Sequence, residues 1–208
     1  MSEAAQKIAD LEKQLAELKA TPMAGEPLRL DFGCGKNKKE GFKGVDIRKF
    51  DGVDFVLNVA EEKWPWADNS VDEAHSSHFI EHLTWPQRVH FFNELGRVLK
   101  KGGKATLIWP HPFSDRYWGD PTHQAAISAF ALYYLNKDWR KVNAPHNDFE
   151  SNEPGPHFWH EYTCDFDFVP PAYSMNPALN GRSPEYVQHA MQFYTEVRQD
   201  VLATLTKK

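Results

Sequence analysis

Apolar positions along the chain change their period several times, and each change marks an element. Over residues 1–20, Ile8, Leu11, Leu15 and Leu18 recur at spacings of three, four and three. That is the rhythm of a helix with one apolar stripe. Ser2 suits its N-cap, and Thr21-Pro22 ends it. The stripe also fits the a and d positions of a short coiled coil. Three readings stay open: a helix packed on its own domain, a helix that pairs with a second copy, and a tail without fixed structure. Residues 21–27 read as a linker, so residues 22–208 form one domain behind the helix.

From Leu28 the pattern becomes short apolar runs parted by turn residues. Leu28–Phe32, Gly44–Ile47, Val53–Leu57 and Val71–Ser77 read as strands, the last entered through the turn Asp68-Asn69-Ser70. Pro86–Lys100 has the helical period, with Val89, Phe92, Leu95 and Leu99 on one face. Thr84 is its expected N-cap and Gly102 its expected left-handed stop. Lys104–Trp109 is a fifth strand. Strands alternating with helices and short loops predict an α/β fold around a mostly parallel sheet.

Beyond Pro110 the regularity breaks. The pattern predicts a helix over His123–Leu135, with Ile127, Phe130, Ala131 and Tyr134 on one side. It predicts an ordered loop over residues 138–161, a strand at Tyr162–Val169, a helix at Pro184–Arg198 and a final strand at Val201–Thr206. This half changes composition as well. Many aromatics fall between Trp109 and Tyr173, alongside His111, His123, His146, His157 and His160. The insert at about 110–161 is expected to cover a cleft. Its rings suit either a second apolar cluster or cation–π contact with a cationic ligand.

Charge and cysteine content narrow the partners. The net charge is −5 and Lys and Arg form no block, which argues against a nucleic-acid backbone as partner. Two cysteines, Cys34 and Cys164, provide neither a disulfide framework nor a CxxC metal site. No apolar run approaches membrane-span length, and the N-terminus is too polar for a secretory signal. The expected compartment is the cytoplasm, that of the host if the source is viral.

The chemistry starts where the first strand runs into Gly33-Cys34-Gly35. Two glycines one residue apart let the backbone turn sharply and let a ligand come close to it. Asp46 ends the second strand, eleven residues after Gly35. A carboxylate there can accept from both hydroxyls of a ribose. The dinucleotide fingerprint is not met, because Lys36-Asn37-Lys38-Lys39-Glu40 holds no third glycine. The expected ligand is therefore a nucleoside without a pyrophosphate.

The run LDFGCGKNKKEGFKGVDI resembles the first two motifs of class I S-adenosylmethionine-dependent methyltransferases. It is most similar to small stand-alone bacterial and phage members in which the first helix is nearly absent. WPWADNSVDEAHSSHFIEHL, ELGRVLKKGGKATLIWP and DPTHQ resemble later segments of the family in the same order. The likeness covers residues 28–124 well and the rest loosely. It implies a three-layer Rossmann-like sandwich with seven strands, the final one antiparallel. It implies S-adenosylmethionine as cofactor, S-adenosylhomocysteine as product and a small-molecule acceptor. By the resemblance, Gly33, Cys34 and Gly35 face the cofactor and Asp31 orients its amino end. Asp46 and Ile47 hold the ribose side, and Asn58 and Val59 flank the adenine. Ser77 and His78 line the methionine end. Asn58 stands where the family commonly has Asp; its amide can still accept from an amino group.

The acceptor is expected beyond the fourth and fifth strands. Candidates there are His78, Glu81 and His82, then His111, Asp120 and His123. Of these His123, His111, Asp120 and His82 are the expected catalytic groups. Two readings compete. One is a non-catalytic cofactor-binding or phage assembly protein. The other is a zinc peptidase, because His78-Phe79-Ile80-Glu81-His82 matches H-x-x-E-H. That motif needs a helix, yet His78 directly follows an expected strand, so no metal is expected.

Overall fold

A computed structural model describes residues 26–143 and 162–208, together with Gln6. The N-terminal stripe, most of the 138–161 loop, and His146, His157 and His160 lie outside the described residues.

One mixed sheet organises the described chain. Its strands are β1 (Arg29–Phe32), β2 (Lys43–Asp46), β3 (Val53–Val56), β4 (Val71–Ser77), β5 (Leu99–Pro110), β6 (Phe166–Phe168), β7 (Ala172–Met175) and β8 (Arg198–Lys207). They lie in the order β3-β2-β1-β4-β5-β8-β6, with β7 also paired to β8. The pairs among β1–β5 are parallel, and β8 is antiparallel to β5, β6 and β7. The expected sheet is present, with one strand more. β7 is short and holds Ser174, half-buried, between Pro170-Pro171 and Pro177, so the sequence offers no run long enough to announce it.

The periodicity explains which face is buried. Leu30, Phe32, Ala74, Ala105, Leu107, Trp109, Val201, Ala203 and Leu205 are at most 2% exposed and occupy alternate positions on four adjacent strands. Side chains two apart share a sheet face. Helix α1 (Trp85–Val98) packs on that face. Phe32 stacks on Trp64 at 4.4 Å and meets Trp66 and Phe91 edge-on. Gly96 admits Cys164 so closely that an added Cβ would stand 2.8 Å from the Cys164 Cβ. Burial pushes the Cys164 thiol up to about 12.

No helix joins β3 to β4. Arg97 of α1 holds that connection instead. Its guanidinium donates to the carbonyls of Trp64 and Trp66 and to the carboxylates of Glu94 and Asp68. Burial opposes ionisation of Glu94, but Arg97 and the Trp64 N–H hold its carboxyl below the ordinary value.

Several elements differ from the sequence expectation: the helix expected over Pro184–Arg198 ends at Phe193, with Arg198 already opening β8, and the loop expected from residue 138 begins inside a helix, Lys137–Asn143. Helix α1 stops at Val98, with Leu99 already extended, rather than at Gly102. Its last carbonyls are taken by the Asn69 and Ser70 N–H groups and by Lys207 Nζ, so no left-handed cap is needed. Gly102, at φ +77°, instead turns the chain within a bulge of β5 against β4. The expected helix His123–Leu135 is an irregular stretch followed by a 3-10 helix, Ala129–Leu135. The Gln124 and Ala125 N–H groups bond to the Glu81 carbonyl, and the Ile127 carbonyl accepts from the Trp109 indole at 2.7 Å. The first two N–H groups would lack partners in a helix too, but the Ile127 carbonyl, the acceptor a helix would offer to residue 131, goes to the indole, and the Ala131 N–H bonds to the Ser128 carbonyl instead. Among residues 26–143 and 162–208, three further α-helices are α2 (Asp115–Trp118), α3 (Lys137–Asn143) and α4 (Pro184–Phe193).

Phe32→Ala removes the ring around which this aromatic group closes, and is expected to cost about 3–5 kcal/mol in urea unfolding. Glu94→Gln is expected to destabilise at neutral pH. Because the folded-state pKa of Glu94 is depressed, its contribution is present above the ordinary 4.5 and is lost as pH falls through the folded value. Unfolding midpoints of wild type and variant, followed from neutral into acid, should therefore converge.

Candidate cofactor cleft and acceptor end

A cleft of about 640 Å³ opens at the carboxyl ends of β1, β2 and β4, the crevice where ligands of open α/β sheets bind. Gly33, Asp46, Ile47, Asn58 and Val59, expected from the sequence, line it together. Arg48, Phe50, Leu57, Ala60, Glu61, Phe79, Leu83, Gln87 and Thr122 line it too, as does His82. Apart from Leu57, at the end of an expected strand, the apolar members of this set come from loops without periodicity, so the sequence pattern passes over them.

Of the glycine loop Gly33 lines the cleft, whereas Cys34 and Gly35 do not. Gly33 (φ +67°) and Gly35 (φ +52°) are left-handed, a conformation costly to residues with a Cβ. The N–H groups of Gly33 and Cys34 bond to the Val45 carbonyl, and that of Asn37 to the Cys34 carbonyl. The Gly35 N–H donates to Asp46 Oδ2 at 2.9 Å, and the Arg48 N–H to Asp46 Oδ1 at 2.9 Å. These amides are thus engaged, and the Asp46 carboxylate is held at the cleft with a fixed orientation.

Other expected cofactor residues sit behind the cleft wall. Asp31 is buried, with Oδ2 accepting from the Lys39 N–H at 2.8 Å and Oδ1 2.7 Å from His75 Nδ1. Cys34 is buried under the loop, and burial, with Asp31 and Asp46 nearby, pushes its thiol up to about 11. Ser77 ends β4 without lining the cleft. Asn58 caps its own turn, its side chain accepting from the Ala60 N–H and donating to Glu61. The Val59 N–H bonds to the Leu57 carbonyl.

After β4 the chain makes a strained exit. His78 has φ +52°, unusual for a bulky residue, and its N–H bonds to the Ile108 carbonyl. Phe79 then lies over Gly33, whose added Cβ would fall 2.5 Å from the ring. A single 3-10 turn, Ile80–His82, follows. The helix that an H-x-x-E-H zinc peptidase requires is not formed here.

Three of the four expected catalytic groups meet. His82 and His123 have ring centroids 4.7 Å apart, and His123 Nε2 lies 3.8 Å from Asp120 Oδ2. Asp120 accepts from both the N–H and the hydroxyl of Thr122, which hold its carboxyl below the usual range. His111 is placed elsewhere. It borders a separate cavity with Phe113 and residues 191–198, packs against Tyr173, and is held toward its neutral form by burial and Arg198.

Comparison with known proteins agrees with this architecture. Residues 35–107 match the family described as a methyltransferase domain. An uncharacterized methyltransferase of Mycobacterium sp. (strain JLS) is 36% identical over 91 residues, 42% of this chain and 34% of that protein. The match thus spans about a third of the curated relative. Among solved structures, a SAM-dependent methyltransferase of Archaeoglobus fulgidus aligns with TM-score 0.58 at 19% identity, over 95% of this chain and 94% of that one. One from Mesorhizobium loti aligns with TM-score 0.52 at 12% identity, over 94% and 97% of the two chains. The chain has the Rossmann-like fold of class I methyltransferases, and its central segment matches a methyltransferase-domain model.

Gly33→Ala and Gly35→Ala should separate backbone strain from steric conflict. Gly35 has open space around it, so only the left-handed conformation is penalised, by about 1–2 kcal/mol. Gly33→Ala also displaces Phe79 and should cost about 2–5 kcal/mol. Chemical unfolding of both variants checks the order.

Proposed function

We propose that this chain is an S-adenosylmethionine-dependent methyltransferase acting on a small molecule in a reducing compartment such as the cytoplasm. The observation that carries the reading is the way the glycine loop is satisfied. Its first amides bond within the protein, so they form no cradle for phosphate. What the loop presents instead is a fixed carboxylate, Asp46, beside the apolar Ile47, Leu57 and Val59. A purine wants apolar walls, a ribose diol wants an acceptor pair, and neither needs a phosphate site. A nucleoside sulfonium fits that set; a dinucleotide does not.

S-adenosylmethionine would supply an already activated methyl group. The protein's part is to align the two reactants and keep water out. Asp46 would accept from the ribose hydroxyls while Gly33 and Phe79 shape the floor. The acceptor's lone pair would attack the methyl carbon in line, and the sulfur would keep the electrons of the broken bond. S-adenosylhomocysteine is then the product. Where the acceptor carries a proton, His82, whose imidazole lines the cleft, would receive it in the metal-free protein. Two buried unpaired cysteines suit the compartment.

Titration calorimetry tests the reading. Both S-adenosylmethionine and S-adenosylhomocysteine should bind, the second at least comparably. Asp46→Ala should weaken both by about 1–3 kcal/mol, the scale of hydrogen bonds to a charged group. Absence of binding by either ligand would overturn the proposal. Binding without turnover across a panel of small-molecule acceptors would favour a non-catalytic cofactor-binding protein.

A further inference from the structure

Glu81 is the most anomalous polar residue among those described. It is 0% exposed, its Oε2 has no hydrogen-bond partner, and its Oε1 has only the long His78 contact, which favours the charged form of that imidazole. A carboxylate withdrawn from water costs several kcal/mol unless something compensates its charge. The groups around it are imidazoles. His78 Nδ1 stands 3.5 Å from Oε1, and His123 Nε2 stands 4.0 Å from the same oxygen. His82 completes the group; one ligand atom each from Glu81, His82 and His123 lie within 4.8 Å of one another.

The hydrogen bonds on the far side of the rings fix their tautomers. His123 Nδ1 lies 2.7 Å from the Tyr117 carbonyl oxygen, which can only accept. Nδ1 therefore carries the hydrogen, and in the neutral ring Nε2 keeps its lone pair. The Thr122 hydroxyl gives its hydrogen to Asp120 Oδ1 at 2.6 Å, so it accepts from His82 Nδ1 at 3.1 Å. His82 Nε2 is then free as well. Each neutral ring thus keeps one nitrogen lone pair, and the two rings stand beside a buried carboxylate. Metal-binding histidines are typically held in this way, with the second nitrogen anchored to a carbonyl or a carboxylate-linked group.

We propose that Glu81, His82 and His123 form a binding site for a divalent transition-metal ion of the zinc class. Two imidazoles and one carboxylate suit Zn2+ or Fe2+ and leave positions open. The sequence motif pointed to the wrong pair. His78 and His82 do not share a helix face, and the second nitrogen ligand comes from the Asp-Pro-Thr-His turn forty residues on. That turn is locked to Glu81 by the Gln124 and Ala125 N–H groups bonding to the Glu81 carbonyl. His82 lines the cleft, so the open positions would face an acceptor bearing an oxygen or nitrogen donor. This last step rests on the cofactor reading above; the metal site itself does not.

The alternative compensation is a proton: an imidazolium of His78 or His123 paired with Glu81. His78 is half-exposed and approaches Oε1 alone, leaving Oε2 without a partner. Asp120 and Asp200 are the other charged groups facing these rings, and Asp200 is itself paired with Arg116.

The test uses the full chain without any cofactor. Protein stripped with chelator is titrated with Zn2+ by calorimetry, and Co2+ is added separately to read ligand-field absorption. One Zn2+ per chain is expected, with a Co2+ spectrum of low coordination number. Glu81→Gln and His123→Ala should each weaken binding about 100-fold or more, since even outer partners of metal ligands are worth about 10–100-fold. His82→Ala, at the cleft wall, serves should the buried variants fail to fold. Thr122→Val should lose about 10–100-fold through release of His82, and His189→Ala on α4 should change nothing. Wild-type protein that takes up no Zn2+, or binding that survives both His82→Ala and His123→Ala, overturns the proposal. Neither result bears on S-adenosylmethionine binding, which is measured apart.

Discussion

The connection between β1 and β2 carries no helix, and much of the site follows from that constraint. The amides leaving β1 find no helical partners, so they must bond elsewhere or stay unsatisfied. Val45 of β2 takes two of them, and Asp46 takes the third. The glycine loop is thereby drawn flat against the second strand. Gly33 and Gly35 are needed because the chain turns in the left-handed region at both. Asp46 is oriented by the same bond that closes the loop. Binding geometry and backbone saturation are here one arrangement.

The missing connections shift the burden of order to single side chains. Arg97 gathers the β3–β4 segment through backbone carbonyls, a role that a helix would otherwise fill. The Trp109 indole and the Glu81 carbonyl do the same for residues 124–127. These contacts explain where sequence reading succeeds and where it stops. Strands β1–β5, β8 and helix α1 are written in local period, and their expected places fall within a few residues of those observed. The stretch 123–128 is apolar enough for a helix, but distant partners claim its backbone. Nothing local in the sequence records such a claim, and the same holds for the cap that Asn69, Ser70 and Lys207 give α1.

The site divides along the same line. Gly33, Asp46, Ile47, Asn58 and Val59 sit at strand ends or directly after them, so topology places them at the cleft. Asp31 and Cys34 share the motif, yet their side chains turn inward, toward His75 and beneath the loop. Motif membership fixes the backbone path, not the direction of each side chain. His82, Asp120 and His123 come together because a turn and a strand exit face each other. The sequence offers the residue types, while their approach depends on hydrogen bonds spanning forty positions. Glu81 is visible in the sequence as part of the H-x-x-E-H run, but with the wrong histidine as its partner. Its significance lies in burial with Oε2 left without a partner, which only packing reveals.

The two cysteines give the molecule built-in reporters. Cys34 lies under the glycine loop and Cys164 against the face of α1 that Gly96 leaves bare. Both thiols are raised well above the ordinary value, and a thiol reacts as its thiolate. Alkylating reagents are therefore expected to modify each slowly in the closed fold and faster when its cover lifts. Labelling at Cys34 times the opening of the cleft floor, and labelling at Cys164 times the detachment of β6 from the helix layer. One native chain thus carries two clocks, set in different halves of the sheet, that run without global unfolding.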